Sequence, residues 1–353
     1  MNLPNKEKVS MAILTGYLGA GKTTLLNRVL NADHKMRIAV LVNDFGAINI
    51  DAKLIVGMEG ETITLSNGCI CCTIRGDMVM AIADLLKRDP LPDYIIVEAS
   101  GVSDPAQVVL TFNRSFLRSH VQIDSIVAVV DGEQFDSFQE NTQRLLREQV
   151  RVSDIIILNK TDLIDDTTRQ KAHQWIEGII DKARIIETQY CDVPIETIIG
   201  SATYNPQTAF DTSGPGVHAH NVDELHDHEH GDHSLVFATW AWESDDPLVL
   251  SALRRVLDDL PSTIFRAKGV IYSREFPDLQ VVLQLVGNRV ALTEGEPWNE
   301  QTPKTSIVVI GDIDSVDKLT LQQQFDEIRA SEVPESEFTQ LIDGVLKWLR
   351  AKQ

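Results

Sequence analysis

The chain has few cysteines, few basic residues and no long hydrophobic run, and each shortage disfavours a class of protein. Four cysteines among 353 residues are too few for a small fold held together by disulfides. The 52 Asp and Glu residues outnumber the 32 Lys and Arg residues, and the net charge of -20 disfavours nucleic acid as a partner. No apolar stretch approaches the roughly 18 residues of a membrane-spanning helix, so we expect no membrane partner.

The amino-terminal segment MNLPNKEKVS lacks the apolar core of a secretory signal, so we expect a cytoplasmic location. Thiols stay reduced there, which favours metal binding or redox chemistry for clustered cysteines. Cys191 stands apart from the cluster and is predicted to be a small buried core residue, to which we assign no role. The sequence leaves a homodimer open.

Residues 9–204 are predicted to form a doubly wound α/β domain with a mainly parallel sheet. Their strand-like runs are continuously apolar, as in a sheet that is buried on both faces, and amphipathic helical stretches separate them. The runs are VSMAILTG, RIAVLVND, TITLSNG, YIIVEAS, SIVAVVDG, DIIILNK and ARIIET.

The second half of the chain has a different pattern. Residues 205–234 are rich in Pro, Gly, Asp and His without apolar periodicity, which predicts a flexible linker. Residues 235–330 are predicted to form a smaller α+β domain, and residues 331–353 a final helix. The predicted strands are LVFATWAW, GVIYSR, LQVVLQLVG, NRVALTEG and TSIVVIGD, and the helical segments are LVLSALRRVLDDL and LTLQQQFDEIR.

Residues 16–23 read GYLGAGKT and match the phosphate-binding pattern G-x-x-x-x-G-K-[ST] between a strand and a helix. Such a loop binds phosphate through backbone N–H groups and a helix N-terminus, which predicts a P-loop NTPase fold. Lys22 is expected to neutralise β- and γ-phosphate charge and Thr23 to bind Mg²⁺. The predicted nucleotide contacts are Gly16, Gly19, Ala20, Gly21, Lys22, Thr23 and Thr24.

A base-reading motif follows the strand DIIIL, where Asn159, Lys160 and Asp162 form N-K-x-D. A carboxylate at Asp162 can accept hydrogen bonds from N1–H and the amino group of guanine, whereas adenine has no N1–H. The motif therefore favours GTP over ATP, since an unmatched buried donor or acceptor is costly. Residues 200–202 either contact the guanine oxygen or form a plain turn.

Two acidic residues at strand ends are candidate catalytic groups beside Lys22. Glu98 ends the strand of VEASG, where P-loop proteins keep an acid near Mg²⁺ and the γ-phosphate. A helix start near Ser103 explains the residues that follow but not Glu98 itself. Asp44, in NDFG, is a second acid that could position Mg²⁺ or the attacking water.

Cys69, Cys71 and Cys72 form C-x-C-C after a strand and before a helix expected near Asp77. Three thiolates in one loop suit Zn²⁺, Co²⁺, Ni²⁺ or Cu⁺. A redox pair and simple packing are the alternatives. Because the loop lies between the phosphate loop and Glu98, we expect metal and nucleotide binding to be coupled.

The motifs GYLGAGKTTLLN, NDFGAINID, NGCICC, VEASG and NKTD, together with the His-rich linker, resemble the CobW-type GTPase metallochaperones. The order of these motifs and the C-x-C-C between them carry the resemblance. It implies a slow GTPase that uses Mg²⁺, holds zinc, cobalt or another transition metal at Cys69, Cys71 and Cys72, and delivers it to an apo-metalloprotein client.

The resemblance also implies nucleotide contacts from residues 73–76, including Thr73 and Arg75, and a C-terminal signature around Lys268. Some members carry an acidic metal ligand beside the N-x-F-G motif, where this chain has Val42 and Ala47. A fourth metal ligand is therefore not identified.

Six histidines alternate with acidic residues in the linker, which suits weak metal loading as well as plain solvation. They are His218, His220, His226, His228, His230 and His233. The leading hypothesis is a GTP-hydrolysing metallochaperone. The alternatives are a metal-buffering or sensing protein that uses GTP as a conformational switch, and a small-molecule kinase, which the N-K-x-D motif disfavours.

Overall fold

The computed structural model describes residues 8–34, 36–43, 62–65, 73–102, 105–200, 237–312 and 317–333. The chain divides into two compact units, Met1–Tyr204 and Asn205–Gln353. The predicted linker 205–234 and most of the predicted helix 331–353 lie outside the described residues, so their boundaries remain predictions.

The first unit contains a parallel sheet of seven strands in the order β3-β2-β4-β1-β5-β6-β7. Every residue of β1, β4 and β6 is buried, which is why these strands read as continuous apolar runs. The predicted doubly wound, mainly parallel sheet is confirmed. The strands are β1 (Val9–Thr15), β2 (Ile38–Asn43), β3 (Thr62–Leu65), β4 (Tyr94–Glu98), β5 (Val121–Asp131), β6 (Ile155–Asn159) and β7 (Ile185–Glu187).

Six described helices surround this sheet, with short 3₁₀ turns at Phe116–Ser119 and Thr161–Leu163. They are α1 (Lys22–Asn31), α2 (Thr73–Leu85), α3 (Pro105–Arg114), α4 (Glu140–Arg151), α5 (Asp166–Glu177) and α6 (Glu196–Ile199). Helix α2 begins at Thr73, four residues before the predicted start near Asp77. No proline interrupts those residues, and a helical Gly76 costs only about 1 kcal/mol.

Helices cover both faces of the sheet. On one face, Ile82 of α2 and Phe112 of α3 pack with Ile13 and Ile126 of the sheet. Ser125 precedes Ile126 and so faces the opposite side, where its hydroxyl donates to the carbonyl of Ile198 in α6 at 3.0 Å. From β1 the chain continues to β2 on one side of the sheet, and from β5 it continues to β6 on the other side, so the strand order reverses between β1 and β5. Ligands of open α/β sheets bind at the carboxyl ends of strands beside such a reversal.

The second unit contains an antiparallel sheet of five strands in the order β11-β10-β9-β12-β8. One face packs against two helices through a core that includes Trp242, Leu253, Leu283, Ile307 and Phe325. The predicted smaller α+β unit is confirmed. Its elements are β8 (Phe237–Ser244), α7 (Leu250–Asp259), β9 (Ile264–Ile271), β10 (Leu279–Val286), β11 (Arg289–Pro297), β12 (Thr305–Asp312) and α8 (Lys318–Asp326).

Strand β9 starts at Ile264, whereas the run GVIYSR predicted a start at Gly269. The missed residues Ile264–Lys268 include Arg266 and Lys268, whose side chains share the face away from the core residue Ala267. A search for continuous apolar runs overlooks such alternation. Among the described helices of both units, none is long and apolar enough to cross a bilayer.

Candidate functional site

Residues 16–21 of the phosphate loop join β1 to α1 at the carboxyl edge of the parallel sheet. Gly16, Gly19 and Gly21 have φ angles of +134°, +78° and +118°, which side-chain-bearing residues rarely adopt. Helix α1 has Gly21 as its N-cap and receives no side-chain cap. Its first N–H groups therefore depend on partners from outside the helix, the arrangement that binds phosphate at a helix N-terminus.

The loop lies tightly against the sheet behind it. A Cβ atom at Gly16 would come within 2.3 Å of the Val129 carbonyl oxygen on β5. A Cβ at Gly101, which follows Glu98 in the VEASG motif, would lie 2.7 Å from the backbone nitrogen of Leu18. The glycines thus allow two backbone segments to approach each other closely at the loop.

Lys22 and Thr23, the first residues of α1, lie on the side of the loop where β4 ends. Lys22 is 7% exposed, and its ammonium donates to the Tyr17 carbonyl at 3.2 Å. The Thr23 hydroxyl donates to Oε1 of Glu98 at 3.4 Å, and Glu98 is only 3% exposed. The structure therefore brings together the predicted Mg²⁺ ligand and the predicted catalytic acid, directly after the phosphate-loop lysine in the chain.

Glu98 owes its position to the pairing of β4 with both neighbouring strands. It stands opposite Leu14 on β1 and Val42 on β2, and the next residue, Ala99, donates its N–H to the Leu14 carbonyl at 2.8 Å. Val42 is 1% exposed. The resemblance implies an acidic metal ligand at this position in some members, whereas in this chain the position is filled by a buried apolar side chain of β2.

Asn159 connects the base-reading motif to the phosphate loop. Its side-chain amide donates to the Ala20 carbonyl at 2.8 Å, and its side-chain oxygen accepts from the N–H of Cys191 at 2.9 Å. The side chain is nearly fully buried, so both bonds are shielded from water. Asn159 therefore links the phosphate loop to the segment that contains Cys191.

Lys160 has a left-handed backbone, with φ of +64°, and its ammonium pairs with Oδ2 of the buried Asp131 at 2.6 Å. Asp162 lies in the following 3₁₀ turn and is exposed. An exposed carboxylate beside a fixed lysine can accept hydrogen bonds from a purine edge. Asp131 was not identified as a site residue from the sequence. Its position at the end of the strand SIVAVVD, as an acid at a strand's carboxyl end, was the available signal.

Residues 188–192, which follow β7, form a third part of the site that sequence reasoning missed. The N–H and hydroxyl of Thr161 both donate to the Thr188 carbonyl, at 3.2 and 3.0 Å. The Cys191 thiol donates to the Gly21 carbonyl at 3.4 Å. The sequence prediction of a buried Cys191 is confirmed, but the residue lies directly behind the phosphate loop. Its position after the strand-like ARIIET was the available signal.

Residues 200–202 were considered for contacts with the guanine oxygen after a strand. Gly200 instead follows the short helix α6, and Ser201 and Ala202 lie outside the described residues. The segment that directly follows β7 is 188–192.

Several predicted site residues lie outside the described residues, and their roles remain predictions. These are Asp44, the cluster Cys69, Cys71 and Cys72, and the six histidines of the linker. Thr73 and Arg75 are placed only as the first turn of α2. No group of three or more potential metal ligands occurs in the parts of the chain that the structure describes.

The family can be assigned once these motifs are placed. The sequence pattern described as CobW/HypB/UreG, nucleotide-binding domain, matches residues 10–187, just over half of the 353 residues. The chain belongs to this family. The pattern of the cobalamin synthesis protein CobW C-terminal domain matches residues 237–329 of the second unit.

Several proteins are similar in sequence to this CobW-family chain over most of its length. A zinc chaperone CobW from Sinorhizobium sp is 29% identical over 337 residues, covering 87% of this chain and 94% of the relative. The zinc chaperone YjiA of Escherichia coli is 28% identical, covering 92% and 97%. A zinc-regulated GTPase metalloprotein activator 1 from Dictyostelium discoideum is 28% identical, covering 83% and 69%.

Among solved structures, the Zn(II)-bound YjiA GTPase from E. coli is 21% identical, covers 92% of this chain and 100% of that chain, and gives a TM-score of 0.44. The hydrogenase maturation factor HypB from Archaeoglobus fulgidus is 20% identical, covers 52% and 81%, and gives a TM-score of 0.38.

Proposed function

We propose that this CobW-family protein is a GTPase that carries a divalent transition metal, zinc in the first place, to an apo-metalloprotein client. The observation that carries the GTPase part of the proposal is the hydrogen bond between Thr23 and Glu98 at 3.4 Å, beside a phosphate loop that Asn159 joins to the base-reading motif. The relatives named zinc chaperone and zinc-regulated GTPase support the cargo and the activity.

GTP is the proposed nucleotide because Asp162 is an exposed carboxylate at the end of the base-reading strand. Guanine presents two donors to a carboxylate on the edge that Asp162 would read, whereas adenine presents none at N1. The Lys160 side chain, which pairs with Asp131, would cover the base or the ribose. Guanine specificity then follows from charge-assisted hydrogen bonds at one end of the site.

The Thr23 hydroxyl and the Glu98 carboxylate are oxygen donors of the kind that Mg²⁺ prefers, so the site fits this ion. Mg²⁺ supplies charge neutralisation on the β- and γ-phosphate oxygens when it is bound. Thr23 would be its ligand, and Glu98 would hold Thr23 and orient water beside the γ-phosphate. Lys22 would neutralise the remaining phosphate charge, and Asp44 remains the second proposed acid.

Cys69, Cys71 and Cys72 are the proposed cargo ligands. Three thiolates bind zinc strongly and leave one position for a ligand from the client, as transfer requires. GTP binding would favour one arrangement of this loop and hydrolysis another, so the metal is held in one state and released in the other. The histidines of the linker would load or buffer metal.

The metal content of protein purified without oxygen tests the cargo site. We expect about one zinc per chain with a non-hydrolysable GTP analogue and Mg²⁺, and its loss when Cys69, Cys71 and Cys72 are changed together to Ala. A variant with the six linker histidines changed to Ala should keep the tight zinc. Tight zinc that survives the cysteine changes and disappears with the histidine changes would refute the proposed site.

Phosphate release distinguishes delivery from buffering. For a metallochaperone, GTP hydrolysis should rise when zinc and an apo-metalloprotein client are both present. Hydrolysis that stays at background with zinc, Mg²⁺ and the client would favour a metal-buffering protein in which GTP acts only as a conformational switch.

A further inference from the structure

Residues 188–192 contact both halves of the nucleotide site. Arg28 of α1 donates from Nε to the Tyr190 carbonyl at 2.7 Å and from Nη1 to the Asp192 carboxylate at 2.6 Å. The Thr188 carbonyl accepts two hydrogen bonds from Thr161 of the base-reading motif. One short segment thus holds the phosphate-binding helix on one side and the base-reading turn on the other.

Two consecutive carbonyl groups of the phosphate loop are held from behind. The Ala20 carbonyl accepts from the Asn159 amide at 2.8 Å. The Gly21 carbonyl accepts from the Cys191 thiol at 3.4 Å, in addition to the first helical hydrogen bond, from the Leu25 N–H at 2.9 Å. In a planar trans peptide the N–H group points opposite to the carbonyl group. Holding these carbonyls therefore directs the N–H groups of Gly21 and Lys22 toward the concave side of the loop, where the β-phosphate binds.

We infer that Cys191 is a positioning residue for the phosphate loop, and that Arg28 assists it by holding residues 190–192 in place. This inference rests on the proposed GTPase function and adds residues that the family motifs do not contain. Cys191 would act through the Gly21–Lys22 peptide.

The environment of Cys191 suits a structural donor. Its side chain is fully buried, and burial raises the pKa of the thiol to about 12, so the S–H hydrogen is retained at neutral pH. Its φ of +53° turns the backbone so that its N–H reaches Asn159 while its sulfur reaches Gly21. A Cβ on Gly21 would lie 2.9 Å from this sulfur, so there is no room for a side chain between Gly21 and Cys191.

Nucleotides that differ by one phosphate test the inference. Cys191→Ala removes the donor, and we expect the affinities for GDP and GTP to fall about 3- to 10-fold while the affinity for GMP, which lacks the β-phosphate, is unchanged. Cys191→Ser keeps a donor and should restore the GDP affinity to within about 2-fold. Competition against a fluorescent guanine nucleotide measures all three ligands.

Ser125→Ala is the matched control, because it deletes another buried hydrogen bond to a backbone carbonyl, that of Ile198. It should lower thermal stability and leave the ratio of GDP to GMP affinity unchanged. The exposed ion pair between Arg28 and Asp192 offers a second test if Cys191→Ala fails to fold. Arg28→Met should lower the ratio about 2-fold, whereas Arg37→Met, which breaks a comparable exposed pair with Asp93, should not.

An unchanged ratio in Cys191→Ala, or in Arg28→Met where Cys191→Ala does not fold, would overturn the inference. A fall that Ser125→Ala shares, or that Cys191→Ser does not reverse, would also overturn it by indicating general loosening. Wild-type protein that binds no guanine nucleotide would instead refute the proposed function.

Discussion

The two ends of the nucleotide site are built in different ways. The phosphate end consists of backbone, and three glycines with positive φ set its shape. The base end consists of side chains from separate strands, in which Asn159 braces the loop, Asp131 fixes Lys160 and Asp162 faces solvent. Substitutions at the phosphate end should therefore damage the fold itself, whereas substitutions at the base end should alter which ligand binds and how tightly.

Gly16→Ala should have the largest effect on stability. The added Cβ would meet the Val129 carbonyl oxygen at 2.3 Å, and neither backbone can move cheaply, so we expect a loss of about 3 kcal/mol in the free energy of unfolding. Gly19→Ala is the control, since its φ is also positive but no atom beyond its chain neighbours lies within 4 Å of the new Cβ. It should cost only about 1 kcal/mol.

Denaturant unfolding without nucleotide measures this pair of variants. Equal losses would mean that the strained backbone, and not the contact with β5, sets the requirement for glycine. That result would contradict the view that close packing against β5 makes the fold sensitive to substitutions at the phosphate end.

Asp162→Asn should change ligand choice without changing stability. An amide cannot accept from both guanine donors, so we expect GTP affinity to fall about 100-fold or more. Xanthosine triphosphate, which has a carbonyl in place of the guanine amino group, should gain affinity. Asp166→Asn, another exposed carboxylate in the same domain, should change neither affinity. Equal losses for GTP and the xanthine nucleotide would contradict a base-reading role.

Asp131→Asn should affect both properties to a moderate degree. Asp131 is 7% exposed and pairs with Lys160 at 2.6 Å, so its removal leaves a partly buried ammonium without its partner. We expect about 1–2 kcal/mol of lost stability and about 10-fold weaker GTP binding. Asp93→Asn, from an exposed pair, should leave GTP binding intact. Unaltered GTP affinity in Asp131→Asn would show that Lys160 needs no support.

Glu187→Gln, directly before residues 188–192, should have the smallest effect on the free energy of unfolding. A hydrogen bond from His173 at 2.7 Å lowers the pKa of Glu187 below its ordinary value of 4.5. Because the folded pKa is the lower one, the pair stabilises the fold above about pH 4.5, and this contribution disappears as pH falls through the folded pKa. Both side chains are 31% exposed, so we expect less than about 1 kcal/mol.

Unfolding of wild type and Glu187→Gln between pH 3 and about pH 6 would check this expectation. The difference between them should shrink toward the acid end. A difference that grows as the pH falls would mean that the pair does not stabilise the folded state.

The same contrast explains which features could be predicted from sequence. The phosphate loop depends on residues adjacent in the chain, and its glycine spacing identified it together with the strand before it. The parallel sheet was predictable because its buried strands are continuously apolar. Strand β9 was predicted to start too late because its residues alternate between polar and apolar.

The base end was only half predictable. Asn159, Lys160 and Asp162 lie within four residues, but Asp131 reaches Lys160 from the end of β5 and Cys191 reaches Asn159 from the segment after β7. A single sequence does not display the strand pairing that brings them together. Cys191 was correctly predicted to be buried. Its contact with Gly21, however, depends on the positive φ at residues 190 and 191, which no local motif indicates.

We propose that GTP binding and metal binding are coupled, and reciprocal titration tests this coupling most directly. Zinc affinity would be measured with and without a non-hydrolysable GTP analogue, and nucleotide affinity with and without zinc, in wild type and in the variant lacking Cys69, Cys71 and Cys72. Linkage requires both affinities to change by the same factor, which we expect to be about 5-fold or more. Independent affinities in the wild type, or equal coupling in the cysteine variant, would contradict the account.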